Sequence, residues 1–189
     1  MKSKKTPAIL IFFVILILAF FAGTKLGQTK TGTEVGSSEK RQNSGWNIYT
    51  KHGFSIEFPP EYLVSEGEDK EAVSFRFSDG GTGTFAGYIV KTELPGIEEY
   101  LVEADKKSET GYEGQPSKEV FESQKIKING REAVLRKETW LAAGFTTNVA
   151  YIFSNRSVYV FALYPQSEVM TQSEEDIFLK FINSFKLIE

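Results

Sequence analysis

Apolar and polar side chains alternate along several short segments of the chain, and this pattern is typical of half-buried β-strands. In 53–58 the apolar residues Phe54, Ile56 and Phe58 all fall on one face. Pro59-Pro60-Glu61-Tyr62 then predicts a turn. We expect roughly eight strands in all, the others at 46–49, 72–77, 85–90, 125–128, 131–135, 146–153 and 158–164.

Two of the predicted connections are tight hairpins. Asn129-Gly130 separates the predicted strands 125–128 and 131–135, and this dipeptide accepts the positive φ angles of a type I′ turn. The polar stretch 154–157 lies between the next two strands and predicts a second hairpin. Several contiguous strands are therefore expected to be antiparallel.

Two segments instead show the spacing of an amphipathic helix. After Pro95-Gly96, a first helix would bury Ile97, Tyr100, Leu101 and Ala104. A second would be capped by Ser173, which with Asp176 resembles a capping box, and its buried face is predicted to be Ile177, Phe181, Ile182 and Phe185. The pattern predicts an α+β fold: an antiparallel sheet of about six to eight strands flanked by helices in an α/β/α sandwich-like arrangement.

The N-terminus has a different pattern. Residues 6–24 contain no charge, and 8–22 are continuously apolar. Nineteen helical residues reach roughly 28 Å, close to the hydrocarbon thickness of a bilayer. We expect residues 1–23 to be one transmembrane helix, an uncleaved anchor, because Phe20 and Phe21 spoil the small-residue pattern of a cleavage site. A cleaved signal peptide is the alternative.

Residues 24–45 are rich in Gly, Ser and Thr and contain no aromatic residue, so we expect a flexible linker. The folded domain would then be 46–189. Lys2, Lys4 and Lys5 precede the apolar segment, which favours a single-pass protein with its N-terminus inside and its domain on the extracytoplasmic side. Either reading of the N-terminus exports the domain.

Charge and cysteine content narrow the possible partners and chemistry. Residues 46–189 hold 15 of the 22 basic residues and 23 of the 25 acidic residues. A domain with a net charge of −8 is a poor match for nucleic acid. Cys is absent, which excludes disulfides, thiolate nucleophiles, thiolate metal sites and a lipid-modified cysteine.

Several motifs resemble those of the PsbP-like domains of exported bacterial proteins. They are Tyr49 with Gly53-Phe54-Ser55-Ile56 and Phe58-Pro59, then Ile128-Asn129-Gly130-Arg131-Glu132-Ala133, and finally the closing 181–185 segment. Tyr62 stands near the place where the family often has Trp. The resemblance covers most of 46–189 and implies an antiparallel sheet flanked by helices, with a non-enzymatic binding or assembly role.

No catalytic, cofactor-binding or metal-binding residue is assigned from the sequence. His52, the single histidine, is read as a solvated turn residue, and the 79–84 loop as a connection between strands, since it lacks the lysine and helix of a phosphate loop. The acidic 66–71 run lacks the ligand spacing of a calcium loop. Trp140 is expected in core or edge packing.

Basic side chains on the central hairpin suggest a strip that guards strand edges, with contact to an acidic polymer or a lipid headgroup as the sharper reading. Its members are Lys125, Lys127, Arg131, Arg136 and Lys137.

The expected function is a non-catalytic, membrane-tethered, extracytoplasmic binding or assembly module. Residues 6–24 would contact the membrane, and the partner would be a protein or cell-envelope material. The alternative is an envelope-acting hydrolase with unidentified carboxylates. A sensory ectodomain is less favoured, because almost no chain precedes the apolar segment.

Overall fold

The computed structural model describes residues 45–66, 72–77, 84–111, 114–165 and 167–188. The expected membrane segment, and all of the expected linker except Gly45, lie outside these ranges. Within them, no helix is long and apolar enough to cross a membrane.

The described residues form ten strands and two helices. Their order is β1 (Asn47–Lys51), β2 (Phe54–Phe58), β3 (Tyr62–Glu66), β4 (Ala72–Phe77), β5 (Thr84–Lys91), α1 (Ile97–Thr110), β6 (Lys118–Ile128), β7 (Arg131–Trp140), β8 (Phe145–Ser154), β9 (Ser157–Tyr164), α2 (Gln172–Asn183) and β10 (Lys186–Leu187).

The strands make two antiparallel sheets. The larger has the order β3-β4-β5-β9-β8-β7-β6, and a small sheet has the order β1-β2-β10. Two apolar clusters lie on opposite faces of the large sheet, because successive residues of β7, β8 and β9 alternate between them. α1 packs on one face, while α2 and the small sheet pack on the other. The predicted α+β fold with a helix-flanked antiparallel sheet is confirmed.

The core under α2 is built largely from aromatic rings. Phe85 and Phe181 stack with centroids 4.4 Å apart, and Phe54 of the small sheet stacks on Phe185 at 5.6 Å. Gly87 makes room for Phe161, since a Cβ on Gly87 would come within 2.7 Å of that ring. The small sheet thus closes the core rather than standing apart from it.

Both predicted hairpins are confirmed. Asn129 and Gly130 have φ angles of 48° and 78°, and Asn155 and Arg156 have 51° and 57°, as a type I′ turn requires. Asn129 also donates hydrogen bonds from Nδ2 to the carbonyl oxygens of Phe185 (2.6 Å) and Asn183 (3.2 Å). The first turn therefore also ties the hairpin to the end of α2.

The start of α2 differs from the prediction. Thr171, not Ser173, is the N-cap: its Oγ1 accepts a hydrogen bond from the Glu174 amide at 3.3 Å, and Glu174 Oε2 accepts one from the Thr171 amide at 2.8 Å. The helix begins two residues earlier than expected. Phe178, absent from the predicted buried face, has no exposed surface.

The strand count was also underestimated. β3 follows directly where only a turn was expected, and β10 closes the small sheet. β6 and β7 extend well beyond the predicted 125–128 and 131–135, because they continue to pair as far as Lys118 and Trp140.

Candidate functional site

β6 is an edge strand of the large sheet. It is eleven residues long, pairs with β7 along one side, and is the last strand in the sheet order. Most of its side chains are exposed, and only Ile128 is buried. A long edge strand carries backbone N–H and C=O groups that are available to another chain, so β6 is the first candidate for a binding surface.

A β-bulge interrupts β6 near its start. Val120 lies opposite Glu138 and Glu122 opposite Lys137, so that Phe121 is the extra residue. Val120 is 37% exposed and Phe121 is 56% exposed. Bulges re-aim side chains at sheet edges, and this one presents two apolar side chains to solvent. We call Val120 and Phe121 the bulge pair.

A third exposed apolar residue lies beside the start of β6. Leu141 is 47% exposed, and its amide donates a hydrogen bond to the carbonyl oxygen of Ser117 at 3.1 Å. This bond holds the end of β7 against the residue that precedes β6. The beginning of the edge strand is therefore both apolar and fixed in place.

Charged side chains under α1 hold the same end of β6 from inside. Lys118 Nζ lies 2.9 Å from Glu138 Oε1 and 3.3 Å from Asp105 Oδ1. Arg136 Nη1 donates to both Asp105 carboxylate oxygens, at 2.7 and 3.0 Å. Tyr151 donates its hydroxyl to Glu138 Oε1 at 3.0 Å. We call these five residues the ionic cluster.

The ionic cluster contains two positive and two negative groups, so its charges balance. Glu138 has no exposed surface, and the Lys118 and Arg136 side chains are each 9% exposed. Lys118 and Arg136 also lie over the Tyr151 ring, 5.9 and 5.8 Å from its centroid. Paired and bonded charges of this kind are tolerated inside a protein.

The pKa shifts in the ionic cluster favour fixed protonation states. Burial alone would raise the pKa of Asp105, but the Arg136 hydrogen bond and the charges of Lys118 and Arg136 outweigh it and lower that pKa. Burial and the charge of Glu138 raise the pKa of the Tyr151 phenol well above its ordinary value. Asp105 stays ionised and Tyr151 stays protonated at neutral pH, which suits a structural clamp between α1, β6 and β7.

The structure corrects the reading of His52 as a solvated residue. It does sit in a turn, with φ of 54°, but its side chain is only 20% exposed and its Nε2 lies 4.0 Å from Glu66 Oε2. Glu66 also accepts hydrogen bonds from Lys51 and Tyr49, and the Lys51 bond is the main cause of its lowered pKa. These contacts join the β1–β2 turn to β3.

The basic strip is divided among several environments. Lys125 and Lys127 share one face of β6, as predicted, and Lys125 Nζ lies 2.9 Å from Glu98 Oε1 of α1. Arg131 points to the other face and donates to Ser154 Oγ at 3.0 Å. Arg136 belongs to the ionic cluster. Lys137 is half-buried and lies opposite Glu122 of β6. The exposed members of the strip are therefore Lys125 and Lys127, beside the outer edge of β6.

Trp140, the acidic run and the glycine-rich loop were the other candidates from the sequence. Trp140 is half-buried at the end of β7, opposite Lys118, in agreement with edge packing. Residues 67–71 of the acidic run and 79–83 of the glycine-rich loop lie outside the described residues. In the part of the chain that the structure describes, no three His, Asp or Glu side chains are grouped as metal ligands.

Sequence reasoning missed Asp105, Lys118, Glu138 and the bulge pair. Alternation alone places Arg136 and Glu138 on one face of β7, but charged residues at alternate positions usually indicate a solvated face. The bulge had no distinct signal in the sequence.

The fold resembles solved structures of low sequence identity. CyanoP, the cyanobacterial PsbP of Synechocystis, matches 82% of this chain and 99% of its own, with a TM-score of 0.56 and 11% identity. The Ran-binding protein Mog1p of Saccharomyces cerevisiae matches 72% of this chain and 91% of its own, with a TM-score of 0.50 and 9% identity. No protein-family profile matches the sequence, and no curated protein matches it. The structural likeness confirms the expected PsbP-like fold.

Proposed function

We propose that this protein is a non-catalytic binding or assembly module, tethered to a membrane and displayed on its extracytoplasmic side, that docks a protein partner along β6. The observation that carries the proposal is the eleven-residue outer edge of β6, which no strand of the described residues pairs with, together with its exposed bulge pair. Exposed apolar side chains grouped at one place often mark an interaction surface. The ionic cluster stabilises that surface before any partner arrives.

The tether rests on the sequence. The uncharged residues 6–24 have the length of a membrane span, and the lysines before them favour an outward-facing domain. A short polar linker would keep β6 within reach of partners in or near the same membrane.

Protein binding also agrees with the structural neighbours. Mog1p is a Ran-binding protein, and CyanoP is a PsbP protein. Together with the sequence motifs, the structural likeness to CyanoP supports membership of the PsbP-like family. Fold alone does not determine function, and the β6 surface itself is the main support for protein binding.

The hydrolase alternative has less support. Asp105 and Glu138 share Lys118 and Arg136, but the pKa of Asp105 is lowered, whereas an acid catalyst needs a raised one. A groove of about 470 Å³ runs along α1, but two of its glutamates, Glu98 and Glu103, are ion-paired to Lys125 and Lys107.

The test is photo-crosslinking in the native membrane with tagged full-length protein. A photoreactive amino acid replaces Phe121 in one variant and Ile188 in the other. Ile188 is a matched control, because it is apolar, 43% exposed and attached to the small sheet. We expect one dominant protein adduct at position 121 and none at 188. Equal labelling at both positions, or capture of envelope glycans instead of protein, would contradict the proposal.

A further inference from the structure

The register of the β6–β7 hairpin identifies which backbone groups of β6 are free. In a two-residue hairpin the residues that flank the turn, here Ile128 and Arg131, exchange both hydrogen bonds. Hydrogen-bonded and non-bonded pairs then alternate along the ladder. The N–H and C=O groups of Ser123, Lys125 and Lys127 therefore point away from β7. Between the bulge and the turn, β6 offers a regular edge for one more strand.

The side chains of these three residues lie on the α1 face of the sheet. An added strand would place every second side chain beside Lys125 and Lys127, and opposite charges across neighbouring strands are stabilising. The Lys125–Glu98 pair is not an obstacle, because both side chains are exposed, 79% and 56%, and exposed pairs contribute little.

The same lysines argue against a second copy of this chain as the added strand. Antiparallel pairing of two β6 strands centred on Lys125 sets Lys125 against Lys125. Centring them on Ile126 sets Lys125 against Lys127. Like charges directly opposite each other are destabilising, and lysine on an edge strand commonly prevents self-association.

We propose that the free edge of β6 binds an extended acidic segment of the partner as an added antiparallel strand, with carboxylates facing Lys125 and Lys127. This inference rests on the proposed function and specifies how the partner is held. Because the strands are antiparallel, the partner residue opposite Lys127 comes first and the residue opposite Lys125 comes two positions later. An apolar residue further along reaches the bulge pair.

The bulge limits the length of the added strand. Phe121 interrupts the regular ladder, so strand pairing ends near Ser123 and apolar contact replaces it. The ionic cluster holds Lys118 at the start of β6, which fixes the bulge on the sheet. Such preorganisation lowers the ordering cost of binding, and strand addition derives its affinity from main-chain hydrogen bonds.

The probe is a fluorescent peptide of about nine residues, a usual strand length, with Glu at two alternate positions, threonine between them and a leucine near its C-terminus. A second peptide has Lys in place of both Glu. Binding to detergent-solubilised full-length protein is measured by fluorescence anisotropy. We expect the Glu peptide to bind, and the double variant Lys125→Glu/Lys127→Glu to weaken it by about tenfold or more, as each attraction becomes a repulsion.

Exchanging the charges between peptide and protein tests whether the peptide pairs with Lys125 and Lys127 in particular. The Lys peptide should bind the double variant better than it binds the original protein. Lys186→Glu reverses an exposed lysine of β10 and should leave both affinities unchanged. Equal weakening by Lys186→Glu would indicate attraction to net charge and overturn the proposal. Binding of the original protein to anionic vesicles but not to the Glu peptide would overturn it in favour of a lipid contact.

A backbone variant tests strand addition itself. Ser123→Pro removes an outward-facing N–H that β7 does not use, so the fold should persist while peptide binding weakens. Ser123→Thr keeps the N–H and should bind normally. Equal affinities of Ser123→Pro and Ser123→Thr for the Glu peptide would contradict strand addition. If crosslinking at position 121 captures a protein while these peptide tests fail, the proposed function stands and only this binding mode is wrong.

Discussion

Glu138 is a charged residue with no exposed surface, and two neighbours stabilise its buried carboxylate. Lys118 and Tyr151 both donate to Oε1, while Oε2 has no hydrogen-bond partner among the described residues. A buried charge with a good partner is tolerated, but a buried charge without one is costly. The energetic importance of Lys118 therefore comes mainly from the carboxylate that it neutralises.

Replacing Lys118 with methionine should lower the free energy of unfolding by about 3–5 kcal/mol, because it leaves the Glu138 carboxylate buried without its closest cation. The double variant Lys118→Met/Glu138→Leu should recover most of that loss, since no charge remains unpaired. Urea denaturation of the single and double variants measures both effects. Lys106→Met, at an exposed position of α1, is the control and should change little. A double variant no more stable than Lys118→Met would contradict this account.

The residue scale also shows where sequence reasoning ends. The predicted strand 131–135 ends before Arg136 and Glu138. Even an alternation continued through them, which puts both on one face of β7, cannot show that α1 covers that face. Charged residues at alternate positions usually indicate a solvent-exposed face. Burial of an ionic cluster depends on which helix lies across the strand, and that is a tertiary fact.

At the scale of elements, the sequence predicted those features that depend on a few neighbouring residues, such as the hairpin turns. The type I′ turn at Asn129-Gly130 was predicted because that dipeptide accepts positive φ, and the second hairpin was predicted from the polar 154–157 stretch between two strands, without its turn type. The length of β6 was not predicted, because its exposed positions have no apolar alternation, and only pairing with β7 keeps them extended. The free edge, which is the candidate site, was for this reason the part of the fold least visible in the sequence.

The N-cap of α2 offers a sharp test at this scale. Thr171→Ala removes the side-chain oxygen that accepts from the Glu174 amide, and should lower the free energy of unfolding by about 1 kcal/mol. Ser173→Ala is the natural comparison, because Ser173 lies two residues further along and is exposed. It should change stability by less than about 0.5 kcal/mol. Thermal unfolding of the two variants compares them directly, and a larger loss for Ser173→Ala would restore the cap predicted from the sequence.

At the scale of the whole molecule, phenylalanine is found both in the core and on the candidate binding surface. Phe185 has no exposed surface and lies 5.1 Å from Tyr159 and 5.6 Å from Phe161, measured between ring centroids. Phe121 is more than half exposed. The same residue type thus serves the core in one place and faces solvent in the other.

Phe185→Ala should lower the free energy of unfolding by about 3–5 kcal/mol through lost contacts and a cavity. Phe121→Ala should change it by less than about 0.5 kcal/mol while it reduces partner crosslinking from a neighbouring β6 position. Chemical denaturation gives the first comparison and crosslinking the second. A large stability loss for Phe121→Ala would assign the bulge pair to folding instead of binding.

The small sheet has a consequence for the order of events in synthesis. β2 pairs on one side with β1 and on the other with β10. Although β2 is synthesised early, the small sheet cannot be completed until β10 has been synthesised. Domains generally fold as units, and the N-terminal part of a chain leaves the ribosome first. The aromatic core under β2 consequently stays open until Lys186 and Leu187 have been synthesised. A nascent chain in this condition remains open enough to thread through a translocation channel, as the proposed extracytoplasmic position of the domain requires.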